Sequence, residues 1–136
     1  MIVAMGPNET DYAAGMPFAA TNGIEVLAAS ADEVRARLAW TPERCTSGGI
    51  LHGGALMTLA DSAGGLCAFL NLPQGATTAT VESKTNFFRP VAGGHVDAIT
   101  RLIHRGRTLV VVQTELWDDQ GRRVALTIQT QAVITG

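Results

Sequence analysis

The first segments with a regular hydrophobic pattern, residues 24–29 and 34–40, have the character of β-strands. Residues 24–29 are mostly apolar, and residues 34–40 alternate apolar positions with Arg35, Arg37 and Ala39. A period of two is typical of a strand with one buried face. Residues 30–32 supply the turn between the segments, and Pro42 follows the second one, where a proline ends a strand because it cannot donate to the ladder. We therefore predict a short antiparallel pair.

The longest apolar stretch has helical spacing. Between residues 52 and 69, leucine, alanine and cysteine recur at steps of three and four positions, as on one face of a helix. Pro73 and Gly75 follow and predict its end. Such a helix is about 27 Å long at the usual rise. We disfavour a membrane span, because Asp61 lies at the centre and a charge there costs at least ~2.5 kcal/mol.

Four more segments have strand character, at residues 77–88, 96–104, 108–117 and 124–134. The connections after the second and third of them are short, which predicts antiparallel hairpins. A sheet with one apolar face must be covered, and one long helix is available to cover it. We therefore predict an α+β fold, in which a curved antiparallel sheet of about six strands wraps around one long central helix. Residues 23–136 would form this single domain, and residues 1–22 an N-terminal arm or short helix.

Composition narrows the classes of function. The 136 residues suit one domain, and a charged fraction of only 16% favours an oligomer that hides apolar area. A net charge of -2 without a basic run predicts no nucleic-acid binding. Three isolated histidines predict no metal site, and Cys45 and Cys67 read as buried thiols in a reducing compartment. The first residues lack the features of a secretory signal, which favours the cytoplasm.

A single carboxylate interrupts the predicted helix. Asp61 is the one charged residue between positions 51 and 72, and it lies on a different face from the leucines, near Gly64 and Gly65. The outer face of an ordinary surface helix carries several charges. Small neighbours indicate that another surface approaches closely. We therefore favour a carboxylate partly buried beside a partner surface, suited to proton transfer, over one that simply faces solvent.

Glycine pairs flank His52 at the predicted start of the helix. The first N–H groups of a helix have no partner within it and point outward at the positive end of its dipole. Glycine lets a substrate approach these donors, which suits the binding of an oxyanion. A flexible, glycine-capped loop would have the same composition. Gly53 and Asp61 are roughly 12 Å apart along one helix, so a shared site requires two helices from two subunits.

Three sequence runs resemble one known family. Residues 51–61, LHGGALMTLAD, are similar to the signature of the PaaI-type (phenylacetate-degradation) hotdog thioesterases. Residues 82–90, ESKTNFFRP, resemble the third strand of that family, and residues 104–108, HRGRT, its coenzyme A-side hairpin. The resemblance implies a hotdog fold, hydrolysis of acyl-CoA, and a homo-oligomer that is at least a dimer and by expectation a tetramer. It implies no separate cofactor, because coenzyme A is part of the substrate.

The resemblance also implies catalytic roles. Asp61 matches the catalytic acid, which would either act as general base on water or attack the thioester carbonyl itself. Gly53 matches the position whose backbone N–H polarises that carbonyl from the opposite subunit. Thr80 falls where family members often carry a hydroxyl that orients water. His52 is expected to shape the loop, with a direct catalytic role as the lesser alternative.

Four basic residues are candidates for binding the phosphates of coenzyme A. Arg105 and Arg107 flank a turn glycine, and the forked donors of arginine suit phosphate. A solvated hairpin tip is the alternative interpretation. Arg89 and Lys84 are weaker candidates for the same contact.

Two departures from the family pattern keep alternatives open. Thr46 stands where many relatives carry an amide, and Gly65 where some carry a hydroxyl. The first departure motivates a second hypothesis, a hotdog protein that binds acyl-CoA without turnover. A dehydratase or hydratase ranks third, because it needs a histidine and an acid in a different pattern. Aryl, arylacetyl and medium-chain acyl groups all remain possible substrates, in a pocket formed by the helix, Phe87, Phe88 and a neighbouring subunit.

Overall fold

The computed structural model describes residues 12–136. A 3-10 turn (Tyr12–Gly15) is followed by α1 (Pro17–Thr21), β1 (Glu25–Ala29), β2 (Glu33–Ala39), a second 3-10 turn (Pro42–Arg44), α2 (Gly53–Phe69), β3 (Thr77–Phe87), β4 (His95–Arg105), β5 (Leu109–Asp118) and β6 (Arg123–Ile134). The predicted α+β architecture is confirmed, and the ends of the six strands and the long helix fall within one residue of their predicted positions. Part of the predicted N-terminal arm, residues 1–11, lies outside the described residues. No helix in the described part of the chain is long and apolar enough to cross a membrane.

All six strands form one antiparallel sheet in the order β1-β2-β4-β5-β6-β3. Strands β4, β5 and β6 are neighbours both in the chain and in the sheet. Strand β3, which directly follows α2 in the chain, pairs with the free side of β6. Strand β3 is therefore an edge strand, and most of its eleven residues are exposed. A long exposed edge carries unpaired backbone groups and is a template for pairing with another chain.

Helix α2 lies across the inner face of the sheet and forms the core with it. The helix contributes Leu56, Leu59 and Leu66, each at most 4% exposed. The sheet contributes the inward residues of its central strands, namely Val34, Leu38, Val96, Ala98, Val110, Val112 and Leu116. Full burial of each large aliphatic side chain is worth about 1.5–3 kcal/mol. The fixed position of α2 on the sheet follows from this packing.

Strand β6 directs polar rather than apolar side chains towards the inner face of the sheet over much of its length. Thr127, Gln129 and Gln131 are each 1–2% exposed on the inner face. Leu126 and Ile128 belong to the opposite alternation and are only half-buried. The regular apolar alternation of this strand therefore lies on the outer face. One reason lies on α2, where Asp61 accepts a hydrogen bond from the inward Gln129.

Candidate active site

The start of α2 is fixed by His52, its N-cap residue. The Nδ1 atom of His52 accepts a hydrogen bond from the Gly54 N–H at 2.8 Å, and the His52 N–H donates to the Arg44 carbonyl at 2.9 Å. N-capping side chains satisfy one of the free donors at a helix start. His52 thus caps α2 and connects its start to the turn that contains Arg44.

The loop before this cap depends on glycine. Gly48 and Gly49 have φ angles of 83° and 74°, in the left-handed region that other residues rarely adopt. The Trp40 indole N–H donates to the Gly49 carbonyl at 2.9 Å, and the Thr46 N–H donates to the Ile50 carbonyl at 2.8 Å. The side chain of Thr46, where relatives carry an amide, is exposed at this loop.

The Gly53 N–H is the first donor of the helix and has no acceptor within it. None of the described residues accepts a hydrogen bond from it. A cavity of about 330 Å³ opens beside Gly53 and is lined also by Phe87, Phe88 and Arg89. A Cβ atom at Gly53 would lie 3.3 Å from the Phe87 ring, so the glycine leaves this approach open. Phe87 and Phe88, predicted to shape the acyl pocket, thus lie on the Gly53 side.

Asp61 lies on the exposed face of α2, in the wall of a second cavity of about 590 Å³. The polar part of this cavity includes Thr58, Ser62 and Thr80. Its apolar part is formed by Met16, Phe18, Met57 and Phe69. Asp61 is the sole acidic or basic residue among the described residues that line the cavity. The carboxylate therefore faces a mixed cavity in which no other charge competes with it.

Three side chains on β3 and β6 contact the carboxylate directly or through one another. Gln129 Nε2 donates to Asp61 Oδ1 at 2.8 Å. Thr80 Oγ1 is 3.5 Å from the same oxygen but only 2.6 Å from Gln131 Oε1. Because a hydroxyl has one proton, Thr80 donates it to Gln131, and the Thr80 oxygen is also 3.4 Å from the Gln129 Nε2 donor. The predicted neighbour Thr80 is therefore beside Asp61, and its oxygen keeps one further lone pair that can accept a hydrogen bond.

Sequence reasoning missed Gln129 and Gln131. They are 68 and 70 positions beyond Asp61, and nothing in local spacing connects them to α2. One feature of the sequence could have indicated them: Thr127, Gln129 and Gln131 occupy alternate positions of one strand and therefore share one face. Such a polar face can point inward where the strand packs against a helix that carries a lone carboxylate.

The glycines near Asp61 have different neighbours from those predicted. Gly64 is buried against the sheet of its own chain, where a Cβ atom would be 3.0 Å from Gln129 Cδ and 3.3 Å from Val112 Cγ2. A Cβ at Gly65 would meet no heavy atom within 4 Å. The prediction that both glycines admit a partner surface is therefore wrong for Gly64, since β5 and β6 already fill that space.

The four basic candidates do not lie together. Arg105 and Arg107 are at one end of the sheet, Arg89 follows the opposite end of β3, and Lys84, which pairs with residue 128 of β6, lies between them. Leu109, beside the hairpin of Arg105 and Arg107, pairs with residue 132 of β6, whereas Phe87 pairs with residue 125. Seven strand positions span roughly 23 Å. All four basic side chains are exposed, and none forms an ion pair within residues 12–136. Arg105 and Arg107 therefore cannot share one phosphate with Arg89 in the same chain.

The cysteines do not take part in this arrangement. Cys67 is buried, and burial together with the charge of Asp32 raises the pKa of its thiol to about 11, so it stays protonated at neutral pH. Cys45 is half-buried, and its thiol donates to the Thr41 carbonyl at 3.3 Å. Among the described residues, no three His, Cys, Asp or Glu side chains group as metal ligands would.

Known proteins with similar sequences point to one family. The family model described as the thioesterase superfamily matches residues 48–125, more than half of the chain. A Deinococcus radiodurans protein, an esterase by name, is 40% identical over 88 residues, which are 64% of this chain. The match spans 55% of that relative's length.

Solved structures agree with this assignment. A mutant of thioesterase PA1618 from Pseudomonas aeruginosa superposes with a TM-score of 0.87 and 26% identity, over 95% of this chain and 96% of that one. A mutant of the phenylacetic acid degradation protein PaaI from Thermus thermophilus gives 0.77 and 27%, over 85% and 97%. The resemblance to PaaI-type proteins is confirmed. This chain therefore belongs to the thioesterase superfamily of enzymes and has the hotdog fold.

Proposed function

We propose that this chain hydrolyses acyl-CoA thioesters and that Asp61 is its catalytic carboxylate. One observation carries the proposal: Asp61 is held by Gln129 in the wall of a 590 Å³ cavity whose described lining contains no other charged residue. Cavities of about 300–1,000 Å³ with few convergent polar groups are typical of small-molecule sites. A fixed, exposed acceptor in such a cavity is suited to taking a proton from water or attacking a carbonyl.

The proposed reaction has two possible first steps, which differ in the role of Asp61. As general base, Asp61 takes a proton from water while the water oxygen bonds to the thioester carbon. As nucleophile, its oxygen forms that bond and gives a mixed anhydride, which water then hydrolyses. In both cases the C–S bond breaks and the coenzyme A sulfur leaves with a proton. The Thr80 oxygen, which keeps one lone pair unused, supports the general-base route, because it and Asp61 can accept the two protons of one water.

We propose that each active site combines residues of two subunits. The Gly53 N–H and the Asp61 carboxylate open into separate cavities on one chain, roughly 12 Å apart along α2. The exposed edge of β3 allows a second copy to pair with it and to bring the partner's Gly53 beside Asp61. The carbonyl oxygen would then accept a hydrogen bond from that N–H, a contact typically worth 10²–10³ in rate.

The substrate has an apolar acyl group in this proposal. Phe18, Met57 and Phe69 line the 590 Å³ cavity next to Asp61, and aryl, arylacetyl or medium-chain acyl groups match their chemistry. Arg105 and Arg107 would contact the phosphates of coenzyme A. The Val133 N–H donates to the Thr108 carbonyl at 2.9 Å, and this pairing holds their hairpin beside the start of β3, whose Thr78 lines the same cavity. Arg89, beyond the far end of β3, would reach the nucleotide only from the partner subunit. Lys84, within β3 and beside the cavity-lining Ser83, remains a weaker candidate for the same contact.

The test is release of free thiol from a panel of acyl-CoA esters by the wild type and by Asp61→Asn. The substitution keeps the shape of the side chain and its contact with Gln129, so the fold and acyl-CoA binding should persist. We expect kcat to fall by about 10²–10⁴-fold. An unchanged kcat would remove Asp61 from the mechanism. Tight binding of acyl-CoA by a wild type that turns over none of the esters would instead support a binding protein.

A further inference from the structure

We propose that Gln129 is a positioning residue, whose buried side-chain amide holds the Asp61 carboxylate in its reactive orientation. Gly64 provides the space that this amide occupies. The inference rests on the proposed thioesterase function and deepens it. Gln129 itself touches neither water nor substrate in this arrangement, because it is 1% exposed beneath α2 and acts through Asp61.

The direction of the Gln129 amide is determined by its neighbours. A carboxylate only accepts hydrogen bonds, so the amide nitrogen must face Asp61. That nitrogen donates one proton to Asp61 Oδ1 at 2.8 Å and the other to Gln131 Oε1 at 2.9 Å. Reversing the amide would place Gln129 Oε1 against two acceptor oxygens. The amide can therefore serve only as a donor to the carboxylate.

Gln131 extends the arrangement into the strand backbone. Its Nε2 donates to the Thr78 hydroxyl at 3.2 Å, and that hydroxyl donates to the Ala132 carbonyl at 2.8 Å. Gln131 is 2% exposed, although its side chain and that of Thr78 also border the cavity. Asp61 is thus connected through two glutamines to the paired strands β3 and β6, and this connection limits rotation of the carboxylate.

The oxygen atom of the Gln129 amide gains no hydrogen bond from the described core residues in this orientation. Gln129 Oε1 is buried and has no hydrogen-bond partner among the described residues. An unsatisfied buried carbonyl is destabilising, and an apolar side chain of the same size would avoid that cost. An apolar residue could supply neither the contact with Asp61 nor that with Gln131, and Gln131 Oε1 already accepts a hydrogen bond from Thr80. The contact that only Gln129 supplies at close distance is the one with Asp61, which points to a role for Gln129 at the site.

Gly64 is required for the same arrangement. A Cβ atom on Gly64 would overlap Gln129 Oε1 and lie 3.0 Å from Gln129 Cδ. Any larger residue would therefore push the amide away from Asp61. Gly64 is one helical turn from Asp61 in α2, so the carboxylate and the space for its donor are set by the same segment.

The test compares Gln129→Met with Thr127→Val. Methionine keeps the volume of glutamine but donates no hydrogen bond. Thr127 is the neighbouring inward residue of β6, and it bonds to Thr85 rather than to Asp61, so it is a matched control for losing a buried polar contact. We expect Gln129→Met to lower kcat roughly tenfold or more, because hydrogen bonds to charged groups are the strong ones. KM should change much less, and Thr127→Val should keep the wild-type kcat.

The split between kcat and KM separates positioning from a purely structural role. Loss of positioning lowers kcat while KM changes little, whereas a general disturbance of the core would change both and would also appear in Thr127→Val. If Gln129→Met does not fold, Gln129→Leu removes the same donor with another apolar side chain. A wild-type kcat in either folded variant would overturn the inference.

A direct measurement keeps this inference distinct from the proposed function. The side-chain amide protons of Gln129 can be followed by NMR in the wild type and in Asp61→Ala, which removes the acceptor. A shifted resonance and faster solvent exchange for one of these protons in the variant support the hydrogen bond even if no acyl-CoA ester is hydrolysed, in which case only the proposed function fails. Unchanged amide resonances reject the positioning role even if the wild type is an active thioesterase.

Discussion

Two adjacent glycines of α2 show how single residues define the site. Gly64 faces the sheet and leaves room for the Gln129 amide, whereas Gly65 faces the cavity that contains Asp61. The sequence presents them as an equivalent pair. Their functions differ because α2 turns by about 100° between consecutive residues, which places one inside the chain and one outside it.

Alanine at these two positions should have opposite effects on stability. In Gly65→Ala the added methyl meets no heavy atom within 4 Å, and alanine favours a helix over glycine by roughly 0.8–1.0 kcal/mol, so the melting temperature should rise. In Gly64→Ala the methyl overlaps Gln129 Oε1 in the core, and we expect a lower melting temperature, by an overpacking cost of about 1–3 kcal/mol. Thermal denaturation of the two variants beside the wild type measures this. Equal melting temperatures would contradict the different surroundings.

Several elements were predictable because they have a clear hydrophobic period. Residues 34–38 alternate apolar residues with arginine, and the helix repeats at three and four positions, so packing and local propensity agree there. The inward face of β6 was not predictable in the same way. Its apolar alternation points outward and Gln129 and Gln131 point inward, because tertiary contact with Asp61 outweighs the local pattern.

The site was predictable only where its residues are close in sequence. Gly53 and Asp61 lie on one helix, so their spacing could be read directly, and Thr80 followed from resemblance. Gln129 reaches Asp61 because β6 packs against α2, which brings together residues 68 positions apart. A single sequence does not show which face of β6 packs against α2, or which of its side chains lies opposite Asp61.

At the β4–β5 hairpin we expect Arg107→Ala to raise KM for acyl-CoA by about three- to tenfold, because an arginine–phosphate contact is a charge-assisted hydrogen bond. KM for a short thioester that lacks the nucleotide should not change. Arg101→Ala is the matched control, since Arg101 is an exposed β4 arginine that already pairs with Glu33 at 2.6 Å. Steady-state kinetics on both substrates measures the effect. An equal change in KM for the two substrates would show that Arg107 does not contact phosphate.

The surface of the whole chain suits association with further copies. Val81 on the β3 edge is 63% exposed, and Leu109 and Ile134 at one end of the sheet are 41% and 47% exposed. Together with the outward Leu126 and Ile128 of β6, they leave apolar area uncovered by the described residues. Monomers rarely keep large contiguous apolar patches. The same edge strand that needs a partner lies next to Asp61, so assembly and catalysis are linked in the proposed site.

A complementation experiment tests whether two subunits share each site. Gly53→Pro removes the backbone donor while keeping the helix, because proline is tolerated at the first helical position and the ψ of 136° at His52 suits a residue that precedes proline. Phe87, which is 48% exposed, has room to adjust to the ring. Gly53→Pro and Asp61→Asn should each be nearly inactive when expressed alone. Co-expressed, they should form mixed dimers in which one of the two sites has both an intact Gly53 and an intact Asp61.

With random assembly half of the dimers are mixed and each has one working site, so we expect about a quarter of wild-type activity. Co-expression of Asp61→Asn with the double variant Gly53→Pro/Asp61→Asn is the control, and it should stay inactive because no chain supplies Asp61. If Gly53 and Asp61 of the same chain acted together, every site in a mixed dimer would lack one of them, and co-expression would restore nothing. Recovery of activity therefore requires that the carbonyl be held by one subunit while the carboxylate of the other acts on it.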